Sequence, residues 1–262
     1  MKRFLGACLV VLLASPAACH REPERPSRGR LRVAAAADLN AGLPDLVSRF
    51  SAAHAVDVSV SYGSSGTFYA QLLNEAPFDL FFSADVEYPR MLKERRLTLP
   101  DSDFSYAVGR IVLWVPSASA IDPRRDGLRA LTAASIAHVS IANPDHAPYG
   151  RAAVAAMKTA GVYDAVRSKL VFGENVAQAL QFVQSGAADA GIVALSLALA
   201  PAARDTGRFA EIPLADYPRI EQGGVILRWA MDVEAARAFR SFVLGGDGRA
   251  ILKQYGFSMP NE

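Results

Sequence analysis

The chain has 262 residues, 51% hydrophobic and 21% charged, with a formal net charge of +2. Two of its cations, Lys2 and Arg3, precede an apolar run, and without that leader the balance is neutral. Such a composition specifies a globular body of one large or two smaller domains, and the neutral balance without a long basic cluster excludes a nucleic-acid binder.

Lys2 and Arg3 form a positive start, and Phe4 to Ala14 is apolar apart from a glycine. That run is too short for a spanning helix, which needs ~20 residues. Residues 1–18 therefore read as a signal peptide. The tail Ser15-Pro16-Ala17-Ala18-Cys19 is similar to a lipoprotein processing site, with Cys19 as the lipid anchor; an ordinary secretory signal that contains a cysteine stays open. The other cysteine, Cys8, lies in the leader, so the mature chain forms no internal disulfide. Residues 19–30 are polar, charged and Pro-rich and read as a flexible tether.

From Leu31 onward, short apolar runs alternate with helical patterns, the signature of an α/β protein with mostly parallel strands. Strands are predicted at residues 31–37, 56–62, 78–83, 106–115, 139–142, 169–172, 190–194 and 224–230. Helices are predicted at 39–53, 68–75, 88–94, 151–160, 177–185, 233–244 and 248–255. The βαβ grammar runs once and then restarts, which implies two similar lobes. Lobe 1 is assigned residues 31–110 and 225–262, lobe 2 residues 111–224. Each lobe is expected to be a doubly wound, mostly parallel sheet. Two hinge crossings, near Gly109–Val115 and Gly223–Trp229, would leave a cleft that closes by hinge motion.

Four turns share one pattern, in which a strand ends, small or hydroxyl residues follow, and a helix begins. They are Ala37-Asp38, Gly63-Ser64-Ser65-Gly66-Thr67, Ala147-Pro148-Tyr149-Gly150 and Glu174-Asn175-Val176. Ligands of open parallel sheets bind beyond the carboxyl ends of strands. Helix starts present unpaired N–H groups and partial positive charge, so they hold anions without a lysine or arginine. Each turn alone is equally the ordinary capping chemistry of any α/β protein. Their number and their placement, two in each lobe, point to a small anion site.

Other candidates carry less. His54, His138 and His146 lack metal-ligand spacing, and His146 is expected to order its own turn. Asp79 and Asp85 read as capping or interlobe residues, and Arg110, Arg151 and Arg228 as charged surface. No GxSxG or Walker-type loop occurs, so an enzyme is not indicated.

The segments VAAAADL (33–39), VSYGSSGTFYAQL (60–72), APFDLFFSAD (76–85), IANPDHAPYG (141–150), KLVFGENVAQAL (169–180), GIVAL (191–195) and KQYGF (253–257) carry a specific resemblance. From Leu31 to Pro260 the chain resembles the periplasmic molybdate-binding proteins of ABC importers. The resemblance implies a type II periplasmic-binding-protein fold, molybdate or tungstate as ligand, no cofactor, and a membrane permease as partner. It further implies an extracytoplasmic monomer, membrane-anchored through Cys19. Carried over by position, it puts the anion on Asp38, Ser65, Tyr149 and Val176, with Ala37, Leu39 and Ser64 as second choices. Asp38 stands where relatives have a serine or similar donor. Ala194 stands where many have a tyrosine, and the Tyr149 phenol is expected to compensate.

A carboxylate about 4 Å from one unit of oxyanion charge costs ~4 kcal/mol at an effective dielectric of about 20, and a dianion carries two units. Neutral hydrogen bonds return only ~1 kcal/mol each. Asp38 is therefore expected to cap its own helix, leaving its N–H and that of Leu39 for the anion. Asp38 and Ala194 keep two other readings open, a different anion (sulfate, phosphate or an organic acid) and an exported enzyme with Asp38 as general base.

Overall fold

A computed structural model describes residues 29–262. The signal peptide, Cys19 and most of the tether lie outside the described residues. The tether was expected to reach residue 30, but the first strand, β1 (Gly29–Ala36), already pairs at Gly29 and Arg30 with Val56 and Asp57. Backbone pairing needs no apolar side chain, so the polar sequence there concealed the strand start.

The first sheet has the order β2-β1-β3-β10-β4, where β2 is Val56–Gly63, β3 is Leu80–Ser83, β4 is Phe104–Gly109 and β10 is Ile220–Ile226. The second has the order β7-β6-β8-β5-β9, with β5 at Ile111–Pro116, β6 at Val139–Ala142, β7 at Leu170–Gly173, β8 at Ala190–Ala194 and β9 at Gly207–Glu211.

The sheets are mixed rather than mostly parallel. In the first, β1 runs parallel to β2 and β3, while β10 is antiparallel to β3 and β4. In the second, β6 runs parallel to β7 and β8, while β5 is antiparallel to β8 and β9. The antiparallel strands are the ones that enter from the other lobe. The βαβ strands finish at the cleft, so a chain arriving from the cleft must run against them.

The single strand expected at 106–115 is two, one per sheet, with Arg110 between them. The expected lobe boundary at 224/225 falls inside β10, whose pairing with β4 begins at Ile220. The return crossing therefore comes earlier, and the Gly-Gly pair that suggested it is strand. The edge strand β9 escaped the sequence reading because its text, GRFAE, is short and half charged.

Period-2 alternation explains how the first sheet is covered on both faces. Along β1, Leu31, Val33 and Ala35 pack with Leu43, Leu46, Phe50 and Phe239, whereas Ala34 faces Phe68, Leu72, Phe81 and Leu92. Trp114, Ile141, Ala153 and Val193 anchor the second core, which also takes in Ala36, Ala37 and Ala84 from the first lobe. The cleft is thus closed, with apolar surface of both lobes in one cluster.

Candidate functional site

Each of the four turns lies where a strand hands over to a helix at the cleft. After β1 the chain makes a 3-10 turn, Ala37–Asn40, before the helix Leu43–Ala53. After β2, Ser64 caps the helix Ser65–Leu72. After β6, the helix Pro148–Thr159 starts with proline at its first position and no side-chain cap, and after β7, Asn175 caps the helix Val176–Gln184.

These turns line one cavity with about 200 Å³ of empty space. Much of that space opens to solvent, and the enclosed part is about one water in size, so the closed cleft excludes a sugar or a peptide. Asp38, Ser65, Tyr149 and Val176 all line it, as do Ala37 and Ser64. Leu39 does not; it is buried in the first-lobe core. Among the described residues lining the cavity, none carries a positive charge. A larger groove of about 780 Å³ runs nearby past Asp85, Arg151, Arg219 and Glu221, but its charges are already paired with one another.

The donors are left free by local bonding. Ser65 Oγ accepts the Ala84 N–H at 2.9 Å, so its hydroxyl hydrogen remains to be donated. Asn175 Oδ1 takes the N–H groups of Ala177 and Gln178 at 3.0 and 3.1 Å. The Val176 N–H, at the first helical position, has no intrahelical partner, and neither has that of Tyr149 one residue into its helix. Gly150 lets that helix start seat on β6: a Cβ there would stand 2.1 Å from the Ala142 carbonyl oxygen.

Ser64 is committed elsewhere. Its hydroxyl lies 2.7 Å from His146 Nδ1 and 3.2 Å from the His146 carbonyl oxygen, while it accepts the Thr67 N–H. The Gly66 N–H donates to the same carbonyl at 2.9 Å. His146 therefore bridges the lobes in addition to shaping its own turn, because closure sets the 63–67 turn directly upon it. A Cβ on Gly66 would come within 2.6 Å of that carbonyl oxygen, so the approach requires glycine.

Asp38 does not cap its helix; no side-chain cap bond forms at that turn. Its carboxylate is fully buried, and Oδ2 accepts from the Tyr149 hydroxyl at 2.9 Å and from Gln222 Nε2 at 2.5 Å. Two side chains brought by tertiary folding displaced the local solution. Gln222 also donates to the Tyr149 oxygen at 3.0 Å, and Ser196 Oγ donates to the Asp38 carbonyl at 2.7 Å. Burial pushes the Asp38 pKa up to about 6, while Gln222, Tyr149 and the N–H groups of Asp38 and Leu39 pull it down. The Tyr149 phenol is pushed well up by burial and then by Asp38. Its hydroxyl is thus spent on Asp38 in the closed cleft.

Gln222 and Ser196 were missed from sequence. Gln222 sits at a register shift between β10 and β4, where a strand side chain is re-aimed. The only local signal is a glutamine before two glycines. Of the residues set aside, Arg151 crosses the cleft to Asp85, Arg110 pairs with Glu211 at 2.9 Å, and Arg228 pairs with Glu75. Asp79 is no interlobe residue. It accepts from the Arg32 N–H, the Arg32 guanidinium and the Met231 N–H, all in the first lobe.

Two five-stranded lobes shut on a small cavity of hydroxyl and backbone donors have the architecture of a two-lobed solute-binding protein. The chain belongs to the bacterial extracellular solute-binding protein family, which it matches over residues 31–258. It is 36% identical to the molybdate-binding protein ModA of Azotobacter vinelandii, covering 97% of this chain and 98% of that one. It is 34% identical to the molybdate-binding protein ModA of Rhodobacter capsulatus, covering 95% and 92%. The solved periplasmic molybdate-binding protein of Azotobacter vinelandii superposes with a TM-score of 0.80 at 33% identity, covering 88% of this chain and 99% of that one. These relatives are binding proteins, and their two-lobed α/β fold is the fold of this chain.

Proposed function

We propose that this protein captures molybdate or tungstate in the interlobe cavity and delivers it to the permease of an ABC importer. One observation carries the reading: donors from both lobes converge on one small cavity whose lining residues include no cation. Hydroxyl and backbone donors from Ser65, Tyr149 and Val176 would replace the hydration shell of a tetrahedral oxyanion, with the backbone of Asp38 completing the cage. Neutral donors suit an ion that must later be released, since no salt bridge has to be broken. A cavity sized for long metal–oxygen bonds is loose around sulfate, which supplies the selectivity.

The leader and Cys19 support export to the outer face of the cytoplasmic membrane with a lipid anchor. Calorimetric titration with molybdate, tungstate, sulfate and phosphate tests the ligand. Tight one-to-one binding of the first two with sulfate silent is expected. Silence with all four, or preference for sulfate, overturns the assignment.

A further inference from the structure

Two buried polar atoms at the edge of the cavity have no partner, Asp38 Oδ1 and Gln222 Oε1. Both are acceptors. They are the remaining prongs of two planar forks already joined at the other prong, where Gln222 Nε2 meets Asp38 Oδ2 at 2.5 Å. A carboxylate facing a carboxamide can pair only one prong; a carboxylic acid pairs both, its O–H donating to the amide oxygen. A proton on Oδ1 would turn one orphan acceptor into a donor, and the other orphan belongs to the amide already bonded to the same carboxyl; buried polar groups left without partners are costly and rare.

We propose that Asp38 and Gln222 hold a single proton between them in the closed cleft, so that each bound dianion is accompanied by one proton taken from solvent. The proposal rests on the reading that the cavity binds an oxyanion. It assigns Gln222 as the positioning residue whose free amide oxygen would accept the Asp38 proton, against the Nε2 bond that favours the charged form, and it removes the repulsion between a carboxylate and a dianion in a cavity without cations. The bond balance is simple: one O–H forms on Asp38, and the proton comes from water or buffer.

Besides Asp38, titratable groups stand around the cavity: His146, which meets Ser64 and lies 3.8 Å from Glu174, and several buried phenols; the Asp38→Asn variant separates their protons from that of Asp38. Tyr149 from the helix Pro148–Thr159 and Tyr106 from β4 face it, and burial together with the Asp38 charge pushes both phenols well up. Tyr62, at the neighbouring end of β2, is pushed up to about 12 by burial. The helices Val176–Gln184 and Leu195–Ala198, packed against the 37–40 turn, carry no titratable side chain. Arg110, at the crossing, is engaged by Glu211. Closure alone raises Asp38 to about 6, and a dianion beside it raises it further. In the open cleft, water returns the group toward its ordinary range near about 4. The carboxyl pKa is higher in the bound state, so affinity is greatest at low pH and falls, by up to about tenfold per pH unit, as pH rises from the open group's range near about 4 to the raised value of the bound state.

The test is calorimetric titration with molybdate near neutral pH in buffers of different ionisation enthalpy. The dependence of observed enthalpy on the buffer counts protons taken up. A count approaching one per molybdate in the wild type, and none in Asp38→Asn, supports the proposal, whatever the affinity of the variant. Gln222→Leu should lower the count and, by the same linkage, flatten the dependence of affinity on pH. Infrared difference spectra of the wild type give a readout independent of any variant's folding: a protonated carboxyl C=O band should appear on adding molybdate. Molybdate binding with no buffer dependence and no such band overturns this inference while leaving the proposed function in place. Failure to bind molybdate at every pH overturns both.

Discussion

Ser64 and Ser65 are neighbours, yet their hydroxyls are directed to different ends. Ser65 accepts from Ala84 and keeps its hydrogen for the cavity, so Ser65→Ala should weaken molybdate binding by about 10- to 100-fold, the ~1–3 kcal/mol of a buried donor lost. Ser64→Ala should act differently, through the His146 bridge, and leave the bound anion's own donors intact. Titration of both variants separates the roles; equal losses would contradict the assignment. Tyr149→Phe removes the O–H that Asp38 accepts, and an affinity loss of roughly tenfold is expected. Unchanged affinity would show that the phenol plays no part.

Between elements, two contacts invite measurement. The 63–67 turn closes against the His146 carbonyl with room only for a glycine at 66, so Gly66→Ala should hold the lobes apart. Molybdate affinity should fall at least tenfold with little change in thermal stability, because the backbone clash is with the other lobe and the contact within its own lobe, at 2.8 Å, is only the far end of the Tyr88 side chain. A large drop in melting temperature would place the defect inside a lobe instead. Asp79 ties β1 to the segments before β3 and after β10. Burial opposes its charge, but the Arg32 guanidinium and the backbone donors prevail and hold its pKa below the usual range. Its stabilisation is therefore present above the ordinary carboxylate range and lost as pH falls through the lowered value. Asp79→Asn leaves Arg32 without a counter-charge and should cost ~3–5 kcal/mol, read by denaturant unfolding.

Across the molecule, the closed form is held by small, scattered interlobe contacts rather than one broad interface. They comprise the His146 bridge, the Arg151–Asp85 pair, Tyr149 and Gln222 on Asp38, and Ser196 on the Asp38 carbonyl. Partly exposed ion pairs contribute little, so Arg151→Ala should change affinity less than about fivefold. On the proposed reading an anion held by donors of both lobes would supply the difference between open and closed. Molybdate should reduce the radius of gyration in solution scattering and raise the melting temperature in proportion to the logarithm of its concentration. A scattering profile unaffected by molybdate would argue against hinge closure.

Local pattern was enough for most of the fold and for the four turns that meet at the cleft. Strand and helix periods, and turns of Gly, Ser, Asn and Pro at strand ends, depend on neighbours along the chain, so 31 onward read as two βαβ series, and Asp38, Ser65, Tyr149 and Val176 line one cavity. Strand direction was not legible, because a chain entering from the other lobe looks locally like any strand; β5 and β10 became antiparallel only through the crossing. Nor was the partnership of Asp38. Its nearest donors in sequence are its own turn's N–H groups, but the phenol and carboxamide that take its charge come from positions 149 and 222. Burying a carboxyl is costly enough that whatever donors folding brings to it decide where it turns and whether it keeps its charge.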